Sequence, residues 1–150
     1  MPELPEVQTV VSQLAEKVSG KRITSVWSDW PKKILTPFSE FEQGVQRATI
    51  LDVRRLGKHI VIDLDNSHSI VAHLKMTGHF LVKNETNRES EAFVDDPING
   101  YIHHILTFSD GTTLEFSDMR KFGWLKLMKT QEVEQHKSIA ELGVDALSGK

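Results

Sequence analysis

The sequence lacks cysteine altogether, although it is 150 residues long. This absence excludes disulfide bonds, thiolate catalysis and zinc sites built from cysteine, and it fits a reducing compartment. The sequence also lacks any apolar run that approaches the ~18 residues of a membrane span. Its first residues do not show the basic and apolar regions of a secretion signal. These absences predict a cytoplasmic protein without a membrane partner.

An excess of positive charge is missing as well. The formal net charge is −3, whereas a nucleic-acid enzyme usually presents a basic surface to the phosphate backbone. The negative net charge is concentrated in one segment, because five acidic residues and one arginine fall between Asn84 and Asn99. Basic residues instead cluster at Arg54-Arg55, Lys58-His59 and Arg120-Lys121. The net charge alone therefore does not exclude a nucleic-acid partner.

The length and the hydrophobic content of 39% predict one globular domain with a real core. Apolar residues at positions 4, 7, 11, 14 and 18 form one helical stripe, which predicts a long helix over Leu4–Val18 that stops before Gly20. A short helix is predicted over Ser39–Val45, opened by Ser39 with Glu42 three residues later. Another short helix is predicted over Gln131–His136.

Between and beyond these helices the pattern is that of strands. Ser109-Asp110-Gly111 gives a strong hairpin signal between two of them. About eight strands at short spacing predict a mainly β protein, an antiparallel sandwich or barrel with the long helix packed against it. The predicted strands are 23–27, 49–56, 59–64, 69–74, 78–82, 102–108, 113–116 and 124–128.

The N-terminus carries the residues with the most distinctive chemistry. If Met1 is removed, Pro2 presents a free secondary amine, and an N-terminal amine is partly unprotonated near neutral pH. Attack of this amine on a sugar carbon gives an iminium ion that acts as an electron sink, and Glu3 is close enough in sequence to move protons. The alternative is an ordinary helix start, since proline suits the first turn and glutamate the positive end of the helix dipole. Retention of Met1 would make the Pro2 nitrogen an amide without a nucleophilic lone pair.

Several internal residues could serve chemistry or merely structure. Lys58, before an apolar strand, could bind phosphate or transfer protons, but such a lysine is more often a solvated charge. Near a predicted turn lie His73 and Met76, of which the methionine is more often a core residue. Arg120 and Phe122 are two apart and would share a face in an extended chain, as an arginine that pairs with a base and a ring that wedges into a stack would. The alternative is a common hairpin.

The order of four motifs decides between these alternatives. The chain contains Pro-Glu-Leu-Pro-Glu at 2–6, Arg-Arg-x-Gly-Lys at 54–58, His-Leu-x-Met-x-Gly at 73–78 and Asp-x-Arg-Lys-Phe-Gly at 118–123. Together they closely resemble the formamidopyrimidine-DNA glycosylase family over nearly the whole chain. The resemblance implies a two-layered antiparallel β-sandwich flanked by helices. It also implies base excision repair of oxidised purines in double-stranded DNA by a DNA glycosylase with abasic-site lyase activity.

The same resemblance implies roles for particular residues. Pro2 would attack C1′ of a flipped-out nucleotide to form a Schiff base, Glu3 would assist opening of the sugar ring, and Lys58 would donate a proton during elimination. For the DNA-binding residues, His73 would contact phosphate, and a trio would fill the hole left by the extruded base, with its arginine on the orphaned base. That trio is Met76, Arg120 and Phe122.

One DNA-contacting position departs from the family pattern. Relatives often carry two histidines at the start of the strand over 102–108, where this chain has Tyr101 and His103. Because a tyrosine hydroxyl can still donate to phosphate, we expect a weakened contact at Tyr101 and a retained one at His103.

The resemblance also predicts the domain organisation. Residues 1–140 form the catalytic domain, and 141–150 begin a linker to a helix–two-turn–helix and zinc-finger domain that lies outside this sequence. We expect a monomer with no metal or small-molecule cofactor in this chain. Two alternatives stay open, namely an inert DNA-binding or structural fragment and a tautomerase-like protein that uses an N-terminal proline as a base. The second does not account for Arg120 or Phe122.

Overall fold

A computed structural model describes residues 4–73, 78–83, 102–118, 123–133 and 135 of the chain. Within these ranges α1 spans Leu4–Val18, a short 3-10 helix spans Pro31–Lys33 and α2 spans Phe38–Val45. None of the described helices is long and apolar enough to cross a membrane. The strands are β1 (Ile23–Ser28), β2 (Ile50–Leu56), β3 (His59–Leu64), β4 (His68–His73), β5 (Gly78–Lys83), β6 (Ile102–Phe108), β7 (Thr113–Asp118) and β8 (Trp124–Lys129).

The described strands form two separate four-stranded sheets in which every pairing is antiparallel. The β1 sheet has the strand order β1-β6-β7-β5, and the β2 sheet has the order β2-β3-β4-β8. Because none of these strands belongs to both sheets, the fold is a sandwich and not a closed barrel. The predicted mainly β, two-layered antiparallel sandwich with a long N-terminal helix is confirmed.

The main core lies between the two sheets. Alternate residues of a strand point to opposite faces, so Ile60 and Ile62 of β3 face inward and join Leu114 and Phe116 of β7 in one buried cluster. Burying each such side chain contributes roughly 1.5–3 kcal/mol. The alternation of apolar residues along the strands is therefore what selects the inward face of each sheet.

Helix α1 packs against β2 and closes one side of this core. Val11, Leu14 and Val18 are at most 4% exposed and belong to the main cluster, as the helical stripe predicts. The helix ends at Val18, and Gly20 follows in the left-handed conformation with φ +85°. The predicted bounds of this helix are confirmed.

The predicted start of the second helix is wrong. Helix α2 begins at Phe38 after Pro37, and no side chain makes a capping hydrogen bond at its first turn. Phe41 and Val45 are fully buried in the main core. Tertiary burial of this apolar face, and not a cap by Ser39, holds the helix in place.

Part of the outer face of the β2 sheet is also apolar and buried, in contrast to a sheet that faces water on one side. Val133, from the helical residues 130–133 that follow β8, contributes to it, so the short helix predicted after β8 begins at Thr130. His136, its predicted end, lies outside the described residues. The members of this second cluster are Leu56, Val61, Val71, Trp124, Met128 and Val133.

Candidate active site

Lys58 lies in the tight turn between β2 and β3. Leu56 and His59 pair across the two strands, so Gly57 and Lys58 alone form the connection. Gly57 has φ +62°, and a type II′ hairpin turn requires such a value at its first central residue, which glycine adopts without steric cost. The glycine thus fixes the position from which the half-buried Lys58 leaves the sheet.

Three rings form a compact cluster beside this turn on the outer face of the β2 sheet. His59 pairs with His73, and His73 pairs in turn with Trp124. The ring centroids of the two histidines are 4.9 Å apart with an interplanar angle of 88°, and that of Trp124 lies 5.5 Å from His59 and 6.0 Å from His73. Aromatic packing therefore orients His73 at the end of the sheet that carries Lys58.

The strand register brings two connections between the sheets to this same end. His73 ends β4 opposite Trp124 at the start of β8. In the other sheet, Gly78 begins β5 opposite Asp118 at the end of β7. Segments 74–77 and 119–122 therefore both connect the His73–Trp124 end of the β2 sheet with the Gly78–Asp118 end of the β1 sheet. These are the segments that contain Met76, Arg120 and Phe122.

The first half of helix α1 is tied to the β2–β3 turn by a side chain. Arg55 Nε donates to Gln8 Oε1 at 3.2 Å, and Arg55 Nη1 donates to the carbonyl oxygen of Gly57 at 3.1 Å. The neighbouring Arg54 points to the opposite face of the strand and pairs with Asp63, with Nε 2.9 Å from Oδ2. The predicted basic cluster is thus split between two faces of the sheet.

His103 occupies an irregular position of β6, where the register to β7 shifts between Ile102 and His104. Its Nδ1 lies 2.9 Å from Asp29 Oδ1, and the side chain is only 10% exposed. The backbone N–H of Asp29 also donates to the His103 carbonyl oxygen at 3.0 Å. The structure therefore gives His103 a structural partner, and its contact with DNA stays a prediction.

Most of the predicted site lies outside the described residues, and those assignments stay predictions. The structure brings Lys58 and His73 to one end of the β2 sheet, together with the strand ends that flank the two connections. The predicted residues outside the described ranges are Pro2, Glu3, Met76, Tyr101, Arg120 and Phe122.

Sequence reasoning missed Gln8, which joins α1 to the turn of Lys58. Its position in the sequence indicated a place near the sheet, since residue 8 lies three positions before Val11 and therefore beside the buried stripe of the helix. The ring of His59 was also missed as a neighbour of His73. That contact follows only from strand register, which the sequence does not state directly.

A shallow cleft of about 610 Å³ lies at the opposite end of the β2 sheet. Asp63, Asp65, His68 and Lys129 contribute to its lining, whereas the described site residues Lys58, His73 and His103 do not. Among the described residues, no group of three or more histidine, aspartate or glutamate side chains could hold a metal ion. The cleft therefore lies away from the end of the β2 sheet that carries Lys58 and His73.

The chain is similar to known proteins in sequence and in fold. The sequence profile of the formamidopyrimidine-DNA glycosylase N-terminal domain matches residues 1–125. The chain belongs to the formamidopyrimidine-DNA glycosylase family. It is 38% identical over 148 residues to the formamidopyrimidine-DNA glycosylase of Pelotomaculum thermopropionicum, covering 98% of this chain and 50% of the relative. The Bacillus cereus enzyme of that name is 37% identical over 145 residues, covering 95% of this chain and 49% of its own.

Solved structures of the family are also similar. The Lactococcus lactis enzyme, bound non-covalently to DNA with an abasic site, superposes with a TM-score of 0.77 at 28% identity, covering 90% of this chain and 48% of that one. MutM in complex with DNA that contains carbocyclic 8-oxoguanine gives a TM-score of 0.77 at 29% identity, with 90% and 48% covered. The chain thus spans about half the length of the family members that it matches.

Proposed function

We propose that this chain is the catalytic N-terminal half of a DNA glycosylase and abasic-site lyase that removes oxidised purines from double-stranded DNA. One observation carries the proposal. The turn of Lys58, the end of β4 at His73 and the two pairs of strand ends around segments 74–77 and 119–122 meet at one end of the sandwich. Three of the four family motifs therefore begin or end at this region, although 61 positions separate Lys58 from the start of segment 119–122.

The chemistry would begin at the N-terminus. The Pro2 amine would attack C1′ of the damaged nucleotide, and the oxidised base would leave as the C–N bond forms. Glu3 would donate a proton to the ring oxygen of the sugar, giving an open-chain iminium ion. Because the proline nitrogen is secondary, this iminium has no N–H proton to lose, and its positive charge acidifies C2′.

Elimination would follow from the iminium. Loss of a C2′ proton expels the phosphate on the 3′ side, and a second elimination expels the phosphate on the 5′ side. Lys58 would donate a proton in these steps, since its turn lies at the end of the sheet to which His73 and the two connections lead. Positioned proton transfer of this kind contributes typically ~10²–10⁴-fold to rate.

Extrusion of the damaged base costs a few kcal/mol, less for a damaged base than for an intact pair. Met76, Arg120 and Phe122 would fill the space that the base leaves, and Arg120 would pair with the orphaned partner base. Their two segments are anchored on adjacent strand ends, which supports a joint role.

Borohydride trapping tests the reaction directly, because reduction of the iminium leaves a stable covalent adduct. Intact mass first establishes whether Met1 has been removed. The processed chain should form an adduct with a duplex that carries an abasic site, and Pro2→Gly should reduce it strongly. Pro31→Gly, in the 3-10 helix, is the matched control and should trap like the unaltered chain. A processed chain that forms no adduct would contradict the lyase proposal.

The second candidate is a DNA-binding or structural fragment without activity. It would apply to these 150 residues taken alone, because affinity for DNA rises steeply with the number of phosphate contacts and the matched relative is about twice as long. We expect trapping on abasic DNA but little on an 8-oxoguanine duplex. No adduct on either duplex, together with retained binding of DNA, would favour the inert fragment.

A further inference from the structure

Arg55 stands out among the basic side chains near the proposed site because of what it joins. It lies on β2, two residues before Gly57, and its side chain contacts both the helix that follows Pro2 and Glu3 and the turn that carries Lys58. The three groups, Gln8 Oε1, the Arg55 guanidinium and the Gly57 carbonyl oxygen, are called the Arg55 bridge below. It links two parts of the chain that are 47 positions apart.

The orientation of the bridge is determined by hydrogen-bond chemistry. A guanidinium has five N–H donors and no acceptor, so Gln8 must present its carbonyl oxygen to Arg55. The amide nitrogen of Gln8 then points along the helix and donates to Ser12 Oγ at 3.3 Å. Arg55 and Ser12 thus bind the oxygen and the nitrogen of the Gln8 amide, and together they hold its side chain in one rotamer.

The neighbouring arginine shows that the arrangement is specific. Arg54 is paired with the carboxylate of Asp63, so its charge is compensated on the outer face of the sheet. The described hydrogen-bond partners of Arg55 are both neutral, an amide and a backbone carbonyl. A charge pair therefore explains the position of Arg54, and the junction of helix and turn explains that of Arg55.

The bridge acts close to the start of α1. Gln8 is four residues after Leu4, which places it ~6 Å along the helix axis from the residue that directly follows Pro2 and Glu3. The Gly57 carbonyl belongs to the residue immediately before Lys58. A displacement of about 1 Å between reacting groups can cost on the order of 10²-fold in rate.

We propose that Arg55 is a positioning residue, which through Gln8 and Gly57 sets the start of helix α1, and with it the N-terminal amine, relative to Lys58. The consequence for catalysis rests on the proposed function. The structural part, the coupling of the first turns of α1 to the β2–β3 turn, is independent of any activity. The two parts can therefore be tested separately.

The structural test is hydrogen exchange of the full 150-residue chain. Arg55→Lys keeps the charge but replaces the planar fork with a single ammonium, which cannot serve both acceptors in the same geometry. We expect faster exchange of the amides in residues 8–12, with the β3 amides unchanged as an internal reference. Arg54→Lys, the same replacement on the opposite face of the same strand, is the matched control and should leave α1 unchanged. Equal exchange in all three proteins would overturn the bridge.

A double-substitution cycle identifies the partner. Gln8→Leu should speed exchange in the same residues as Arg55→Lys does, and the combination should be no worse than either alone, because both remove one link. Independent, additive effects of the two substitutions would show that Arg55 and Gln8 do not act together, and would overturn the proposal.

The catalytic test is the single-turnover rate of borohydride trapping on abasic DNA. We expect Arg55→Lys to slow trapping about tenfold, with an unchanged dependence of DNA binding on salt. If Arg55→Lys traps at the unaltered rate and Arg55→Gln lowers the salt slope by ~1, Arg55 contacts a phosphate directly, and the positioning role is wrong. Absence of any adduct from the unaltered chain would count against the proposed function alone, since hydrogen exchange still decides the bridge.

Discussion

Two hairpin turns of this domain are similar in local structure but differ in the contacts that their side chains make. The β2–β3 turn contains Gly57 at φ +62°, and the β6–β7 turn contains Gly111 at φ +87°. Each is also tied by a long basic side chain to the region of α1, through Arg55 and Gln8 near its start and through Lys21 and Asp110 beyond its end. The difference lies in what the basic group meets.

At the β6–β7 turn the charged side chain of Asp110 is paired with Lys21. Asp110 also accepts the backbone N–H of Thr112 at 2.9 Å, which shapes the turn. At the β2–β3 turn the described partners of Arg55 are neutral, and Lys58 follows at once. The contacts of Asp110 stabilise its own turn, whereas the contacts of Arg55 join helix α1 to the turn that carries Lys58.

The largest effect on stability is expected from a substitution in β7, the strand that follows the β6–β7 turn. Glu115 and Lys83 form a buried ion pair, with 6% and 11% of their side chains exposed and 2.9 Å between Oε1 and Nζ, and Thr113 Oγ1 donates to Glu115 at 2.7 Å. Removing one member leaves the other charge buried, which costs about 3–5 kcal/mol. Glu115→Ala should therefore lower the free energy of unfolding in urea by about that amount.

Asp63→Ala is the matched control on the β2–β3 side. Its pair with Arg54 is more exposed, at 18% and 24%, so the loss should be clearly smaller. Equal losses for the two substitutions would break the distinction between a stabilising hairpin and a functional one.

The largest effect on activity is expected at the other turn. Lys58→Gln should reduce strand cleavage at an abasic site by on the order of 10²-fold, as for loss of a positioned proton donor. Lys21→Gln removes the lysine that pairs with Asp110 of the structural turn and should leave the cleavage rate unchanged. Gel assays of cleavage at matched protein concentration decide, and similar losses in both variants would mean that general charge, not position, matters.

An intermediate effect is expected from the turn glycine itself. A Cβ at Gly57 would meet no atom within 4 Å, so replacement costs only the left-handed backbone conformation. Gly57→Ala should lower the free energy of unfolding by about 1–2 kcal/mol, and Gly57→Asn by less, because asparagine tolerates this region. Urea denaturation measures both. An unchanged midpoint for Gly57→Ala would show that the turn can relax into another form.

The smallest effect concerns pH. The hydrogen bond from Lys21, together with that from the Thr112 backbone, lowers the pKa of Asp110 from 3.8 to about 2. Since the folded pKa lies below the ordinary value, the stabilising contribution is present above pH 3.8 and is lost as the pH falls through about 2. Solvent screens this half-exposed pair, so the contribution is less than about 1 kcal/mol.

Asp110→Asn should therefore flatten the thermal stability of the protein between pH 4 and pH 2. Added salt should weaken the difference between the variant and the unaltered chain, because exposed charges are screened. A variant with the same acid dependence as the unaltered chain would show that Asp110 does not contribute to it.

Local sequence patterns predicted most of the elements. The apolar stripe of α1 and the alternation in the strands reflect contacts of a segment with one buried side, and such contacts repeat at 3.6 or 2 residues. The start of α2 was wrong because burial of Phe41 and Val45 outweighed a local capping motif. The family resemblance also rested on local motifs, and the comparisons confirm it.

Patterns in the sequence were enough to predict which segments become strands, where α1 lies and which family the chain belongs to. The packing of His73 with His59 and Trp124, and the contact of Gln8 with Arg55 beside the turn of Lys58, are visible only in the folded chain. The physical reason is separation along the chain. Strand order and register join residues up to about 90 positions apart, and such pairings depend on the packing of the whole sandwich rather than on any one segment.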